Sequence, residues 1–142
     1  MNESDFKLAQ KLYENGEHNK AFSLYQKLAN EGSIDSQVYL GWMHENGIGT
    51  ERNTKAAYSY FKGAAELGSP EAQFFLAKHY AGKDEIEKSR YWYLRSADYD
   101  YSPALYRLGL LAELGKGVAK DKRVALSFHS RAAKTGHVFA KK

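Results

Sequence analysis

The sequence of 142 residues contains no cysteine and only two prolines. Without thiols there is no disulfide framework, no thiolate zinc site and no cysteine nucleophile. The longest apolar stretches, Phe74 to Ala77 and Leu108 to Ala112, are a few residues long. Crossing a bilayer takes ~20, so membrane insertion is not expected. The start, Met1-Asn2-Glu3-Ser4-Asp5, is acidic and polar where a signal peptide needs a basic end and an apolar segment. The chain as given is therefore expected in the cytoplasm, and exported if it is a piece of a longer precursor. At this length a fold buries roughly two-thirds of the surface its unfolded chain exposes, so neither a metal nor a covalent staple is required.

Basic residues are scarce in one half only. Residues 1–71 hold 7 Lys and Arg against 10 Asp and Glu, whereas residues 72–142 hold 14 against 7. The basic half suits an acidic partner. Nucleic-acid binding through Arg107, Lys116, Lys120, Lys122, Arg123, Arg131 and Lys134 is the weaker alternative, because these charges are spread over turns and second helices, not gathered in a dense stripe. The eleven tyrosines recur at spaced positions inside apolar-periodic segments.

That spacing is a repeat. Leu28-Ala29-Asn30-Glu31-Gly32, Ala64-Ala65-Glu66-Leu67-Gly68, Ser96-Ala97-Asp98-Tyr99-Asp100 and Ala132-Ala133-Lys134-Thr135-Gly136 follow one another at intervals of 36, 32 and 36 residues. Aromatic or large apolar residues (Leu24, Tyr60, Trp92, Phe128) and small ones (Ala21, Ala57, Ser89, Ala125) precede them in register. Ser36, Ala72, Ala104 and Ala140 open the next segments, and Leu40-Gly41, Leu76-Ala77 and Leu108-Gly109 follow three of these. Apolar steps of three and four residues make both halves of each unit amphipathic helices. Eight helices in four antiparallel hairpins are predicted, over 4–15 and 18–31, 34–46 and 53–67, 70–81 and 84–99, and 102–114 and 121–135. Gly41, Ala77 and Gly109 are expected to face Ala57, Ser89 and Ala125, so that a bulky replacement overpacks the pair by roughly 1–3 kcal/mol. Gly32, Gly68 and Gly136 suit left-handed C-caps, and Asn53 and Asp121 suit N-caps.

These residues resemble the Sel-1-like repeat family, a relative of the tetratricopeptide repeats. The likeness runs through Leu40-Gly41, Gly47, Gly49, Ala57, Tyr60-Phe61, Ala64-Ala65 and Gly68 in one unit. Another carries Ala104, Leu108-Gly109, Gly115, Gly117-Val118, Asp121, Ala125, Phe128, Ala132-Ala133 and Gly136. A middle unit keeps Ala72, Leu76, Tyr80, Trp92-Tyr93 and Ala97 but has the shorter turn Ala81-Gly82-Lys83-Asp84. His44 and Ala112 stand where the family has a tyrosine. The resemblance implies an all-α fold, an α–α superhelix or solenoid of about four antiparallel helix hairpins. As a single repeat domain over 1–142 it divides into a tetratricopeptide-like hairpin at 4–32, repeats at 33–68, 69–100 (shortened) and 101–136, and the start of a truncated repeat at 137–142. That last stretch marks either a short natural array or one cut from a longer array.

Candidate chemistry is thin. Gly47-Ile48-Gly49 and Gly115-Lys116-Gly117 lack the strand and the further residues of a phosphate loop. No two of His18, His44, His79, His129 and His137 are three or four residues apart, so no helix offers a metal face. Ser127 and His129, two apart on one helix, point to different sides. Asp84, Glu85 and Glu87 read as the solvated first turn of a helix. No enzyme activity, cofactor or metal is expected.

The resemblance implies an adaptor whose first helices line a concave wall. By that projection the wall holds Val38, Trp42 and Glu45, then Phe74, Lys78 and Ala81, then Tyr106, Leu110 and Glu113, with Phe6, Gln10 and Tyr13 from the N-terminal hairpin. Aromatics with sparse charge of both signs suit a protein or peptide partner. An accessory or regulatory role in cell-envelope or polysaccharide biology is the alternative. The aromatics also fit a bland role as packing between repeats.

Overall fold

The computed structural model describes residues 3–135. Among these the chain forms eight α-helices and no strand: α1 (Glu3–Glu14), α2 (His18–Asn30), α3 (Ile34–Asn46), α4 (Thr54–Glu66), α5 (Pro70–Gly82), α6 (Ile86–Ala97), α7 (Ser102–Leu114) and α8 (Lys122–Lys134). Periodicity places every helix, and the ends shift by at most two residues. The cap expected at Gly136 and the truncated repeat at 137–142 lie outside the described residues.

The chain divides into two compact units, Met1–Ser69 and Pro70–Lys142. In the first, α1 packs on α2, α2 on α3 and α3 on α4; in the second, α5, α6, α7 and α8 pack in the same succession. The second unit restates the first 68 residues on, as α3 starts at Ile34 and α7 at Ser102, α4 at Thr54 and α8 at Lys122. Each has its own core. Ala9, Ala21, Tyr25, Leu28, Leu40 and Met43 fill the first; Ala77, Tyr93, Ala97, Ala104, Leu105, Leu108 and Ala132 fill the second. Alternation of alanine with Tyr or Leu lets backbones approach while the large side chains fill the flanks.

The space beside two of the small helix residues is filled from one turn further along the partner helix than Ala57 and Ala125. A Cβ on Gly41 would stand 2.8 Å from the Phe61 ring, and the space beside Gly109 is taken by His129. A helical side chain leans toward the N-terminus and covers the turn before its own Cα, so the contact comes from the later residue. In the short-turn hairpin the expected pair forms, where the Ser89 hydroxyl donates to the Ala77 carbonyl at 2.8 Å.

Local chemistry fixes the helix ends. Ser33, Asn53 and Asp121 accept backbone N–H groups of α3, α4 and α8 with their side chains, which satisfies donors the first turn leaves open. Gly47 and Gly115 close α3 and α7 in the left-handed region. The second glycine of each long turn serves a different purpose. A Cβ on Gly49 would stand 2.5 Å from the His18 carbonyl oxygen, and one on Gly117 2.7 Å from an Ile86 methyl. The long turn of each unit thus rests on the start of that unit's second helix. Arg90 fastens this contact in the second unit by donating to the Gly117 carbonyl at 2.7 Å.

One expected helix start is corrected. Asp84 has φ +58 and belongs to the turn, Glu85 is the N-cap and only Glu87 lies in the first turn of α6. Asp84 stands where the first unit has Gly16, at φ +83. The bonds agree, since Gly16 N–H reaches Tyr13 and Asp84 N–H reaches Ala81, while Glu17 and Glu85 reach Leu12 and Tyr80. Asp100, at φ +57, likewise replaces Gly32.

Candidate functional site

The first helices of the hairpins carry the projected wall residues. In the first unit, Phe6 and Tyr13 of α1 meet Tyr39 of α3 edge-on, at 5.8 and 6.1 Å between centroids. Gln10 donates to the Tyr39 hydroxyl at 3.3 Å. Tyr39 in turn stacks on Tyr25, with 4.5 Å between centroids and 7° between planes. Burial pushes the Tyr25 phenol well above its usual range, with Tyr39 adding to the shift, so it stays neutral at any working pH. Tyr39 is thus the hub of this face, and projection from Leu40 missed it because the chosen offsets skip the residue beside that leucine. Val38 and Glu45 are half-buried, while Trp42 is 39% exposed. The last turn is held by Asn46 donating to the Trp42 carbonyl and by Arg52 reaching back to the Glu45 carbonyl, both at 2.9 Å.

In the second unit Phe74 is half-buried and edge-on to Tyr93 and Tyr101 at 5.8 and 5.7 Å. Burial raises both of those phenols. Lys78, exposed, sits 5.3 Å over the Phe74 ring, and Ala81 is exposed beyond it. Tyr106 and Leu110 are half-buried. The Tyr106 ring lies 5.6 Å from that of His129, and Glu113 hydrogen-bonds His129 Nε2 at 2.9 Å. The structure therefore joins Glu113 to His129 and Lys78 to Phe74. The His129–Glu113 pair was not visible in sequence, where the two stand 16 residues apart on different helices.

The groups considered for chemistry are otherwise engaged. Turn N–H groups at Ile48, Asn53, Lys116 and Asp121 donate to the carbonyls of Met43, His44, Leu111 and Ala112, so they cap helices instead of surrounding an anion. His44 sits against Phe22 and Tyr60, 5.3 and 5.6 Å between centroids, and burial holds it below its usual pKa. Among the described residues no cluster of three His, Asp or Glu stands ready for a metal. Arg131, counted in the basic half, donates to the Ala97 carbonyl and the Asp100 carboxylate, each at 3.0 Å.

The sequence pattern of the Sel1 repeat matches residues 2–33, 34–69, 70–98 and 102–137. The chain belongs to the Sel1 repeat family. A Sel1 repeat protein from Oxalobacter formigenes superimposes with a TM-score of 0.87 at 26% identity, over 96% of this chain and 59% of that one. A protective antigen of uropathogenic Escherichia coli with the same fold gives 0.81 at 30% identity, over 97% and 32%. Chitin synthase regulatory factor 3 of Schizosaccharomyces pombe is 32% identical over 130 residues, which are 87% of this chain and 14% of that protein. The chain thus spans a minor part of that relative. Its fold is the helical-solenoid class of Sel1 proteins, and the family's repeats are scaffolds for protein interactions, typically without catalysis. No helix among the described residues is long and apolar enough to cross a membrane.

Proposed function

We propose that this Sel1 chain binds another protein through the first helices of its hairpins, with Val38, Trp42, Glu45, Phe74, Lys78, Tyr106, Leu110 and Glu113 as contacts. One observation carries the reading. Val38, Trp42 and Glu45 recur 68 residues on as Tyr106, Leu110 and Glu113, so each unit offers two apolar side chains followed by a carboxylate at the same places on α3 and α7. The four apolar ones are half-buried or, at Trp42, exposed. A large apolar side chain left accessible within a repeated stripe suits a partner's apolar anchor.

The test uses the protein that co-purifies with the chain from its host. Trp42→Ala and Leu110→Ala are expected to weaken that complex by roughly tenfold or more, the loss of one central anchor, with far-ultraviolet dichroism unchanged. Unfolding with no specific loss of binding would return these residues to the role of packing. An accessory role in polysaccharide synthesis is a second reading, supported by the likeness to a regulatory factor of chitin synthase. It requires the co-purified protein to be a polysaccharide-forming enzyme.

A further inference from the structure

We infer that the exposed face of α6 is a second docking surface, built around Arg95, for a segment of a partner protein that carries a single carboxylate beside an apolar side chain. It lies on a second helix and is independent of the face proposed above. Tyr91 is 51% exposed, Leu94 40% and, just past the helix, Tyr99 56%. Tyr91, Trp92 and Arg95 share a face by their three- and four-residue spacing. The Arg95 guanidinium lies 5.5 and 5.8 Å from the centroids of the Tyr91 and Trp92 rings and donates through Nη1 to the Tyr91 hydroxyl at 2.9 Å.

The first unit shows what is unusual here. At the places 68 residues earlier stand Ser23, Leu24 and Lys27. Lys27 is neutralised by Asp5 of α1, with Nζ and Oδ2 3.3 Å apart. The counterpart of Asp5 is Gln73, which brings no charge. Arg95 is therefore a cation positioned by two rings, with no carboxylate partner among the described residues. A guanidinium has five N–H donors in a planar fork. One is used internally, and the rest suit a bidentate carboxylate.

Geometry selects the class of partner. Tyr91 and Trp92 are perpendicular, at 86° and 5.1 Å, and Arg95 already covers ring surface on both, so they form no open platform for stacking a base. Glu87 and Asp98, also exposed, repel a run of negative charge such as a polyphosphate backbone. They oppose a run of acidic residues too, so the fit is to a single carboxylate seated at the Arg95 fork beside an apolar side chain, for which Leu94 and Tyr99 offer the contact.

The experiment pans the full chain against a displayed library of random dodecapeptides, after depletion on the Arg95→Gln variant. Surviving peptides are expected to place Asp or Glu beside an apolar residue. Arg95→Gln should weaken a synthetic survivor roughly tenfold or more, as loss of a charge-assisted fork does, with helicity unchanged. Arg95→Lys, which keeps the charge and loses the fork, should recover only part, and Lys62→Gln, at an exposed cation of the other unit, should bind as the parent chain does. No survivors after depletion, or survivors without acidic residues, would overturn the proposal. So would Arg95-dependent binding of oligo(dT) with a steep salt slope, which would assign the face to nucleic acid.

Discussion

In the first unit Tyr39 gathers Phe6, Tyr13 and Tyr25 into one aromatic cluster, and 68 residues later Arg107 stands exposed in its place. Phe61 fills the space beside Gly41, whereas His129 fills that beside Gly109 and reaches Glu113. Lys27 answers a carboxylate, and Arg95 answers two rings. The long turns, by contrast, agree in both units: left-handed glycines in the same places, a capping Asn53 or Asp121, and the same rest on the second helix. Positions set by backbone geometry recur, while positions that fill space or meet solvent diverge. Two units of one plan can thereby present different chemistry to partners.

The largest expected effect sharpens where the turns themselves differ. Gly49 and Gly117 both have a left-handed φ, +74 and +75, so an alanine costs each roughly 1–2 kcal/mol in backbone strain. Their neighbours are unlike. The Gly49 Cβ would meet the His18 carbonyl, held in the backbone, whereas that of Gly117 would meet the end of the Ile86 side chain, itself 46% exposed and able to turn away. Gly49→Ala is expected to lose about 3 kcal/mol, the strain plus an overpacking cost, and Gly117→Ala about half of that. Urea midpoints of the two variants decide it, and equal losses would show that the neighbour's identity does not matter.

A pH dependence separates the units next. His44, half-buried against Phe22 and Tyr60, is held below its usual 6.5 by burial, while its counterpart is the non-titrating Ala112. The unfolded chain then takes up a proton that the folded first unit disfavours. Stability from His44 is full above about pH 6.5 and is lost as pH falls below it. His44→Phe keeps the ring contacts and removes the proton site. Acidification from about pH 7.5 to about pH 5, across the usual histidine range, should lower the urea midpoint of the parent chain more than that of His44→Phe. An identical drop in both would remove His44 from the acid response.

Helix positions and caps were legible in the sequence because they are local. A three-to-four step, Asn53 before Thr54 and Asp121 before Lys122 each act within a turn of the residue concerned. The side chains nearest the small residues were not, since which one covers Gly41 depends on how the neighbouring helix leans, and Phe61, one turn beyond Ala57, comes closest. Similarly, the projected stripe on α3 named Val38 and Trp42 but missed Tyr39, whose role arises from α1 and α2 closing on it. On α6 only Trp92 was singled out in the sequence, as a repeat position, and Tyr91 and Arg95 gain significance only beside the Lys27–Asp5 pair of the other unit.

The smallest effect concerns the two aspartates in left-handed turns. Asp84 and Asp100 hold φ +58 and +57 where the first unit has Gly16 and Gly32. An L-residue there costs roughly 1 kcal/mol, and Asp is among those that bear it best. Asp84→Gly should therefore raise stability by about 0.5 kcal/mol, and Gly16→Asp should lower it by a similar amount, both seen as shifts in urea midpoint. Asp100 differs because its carboxylate meets Arg131 at 3.0 Å with both side chains well exposed, 62% and 43%. A surface pair of this kind contributes little, commonly 0–1 kcal/mol, so Asp100→Gly should gain less than Asp84→Gly. Equal gains would mean that the Arg131 pair adds nothing to the second unit, and that both turns differ from their glycine counterparts by backbone strain alone.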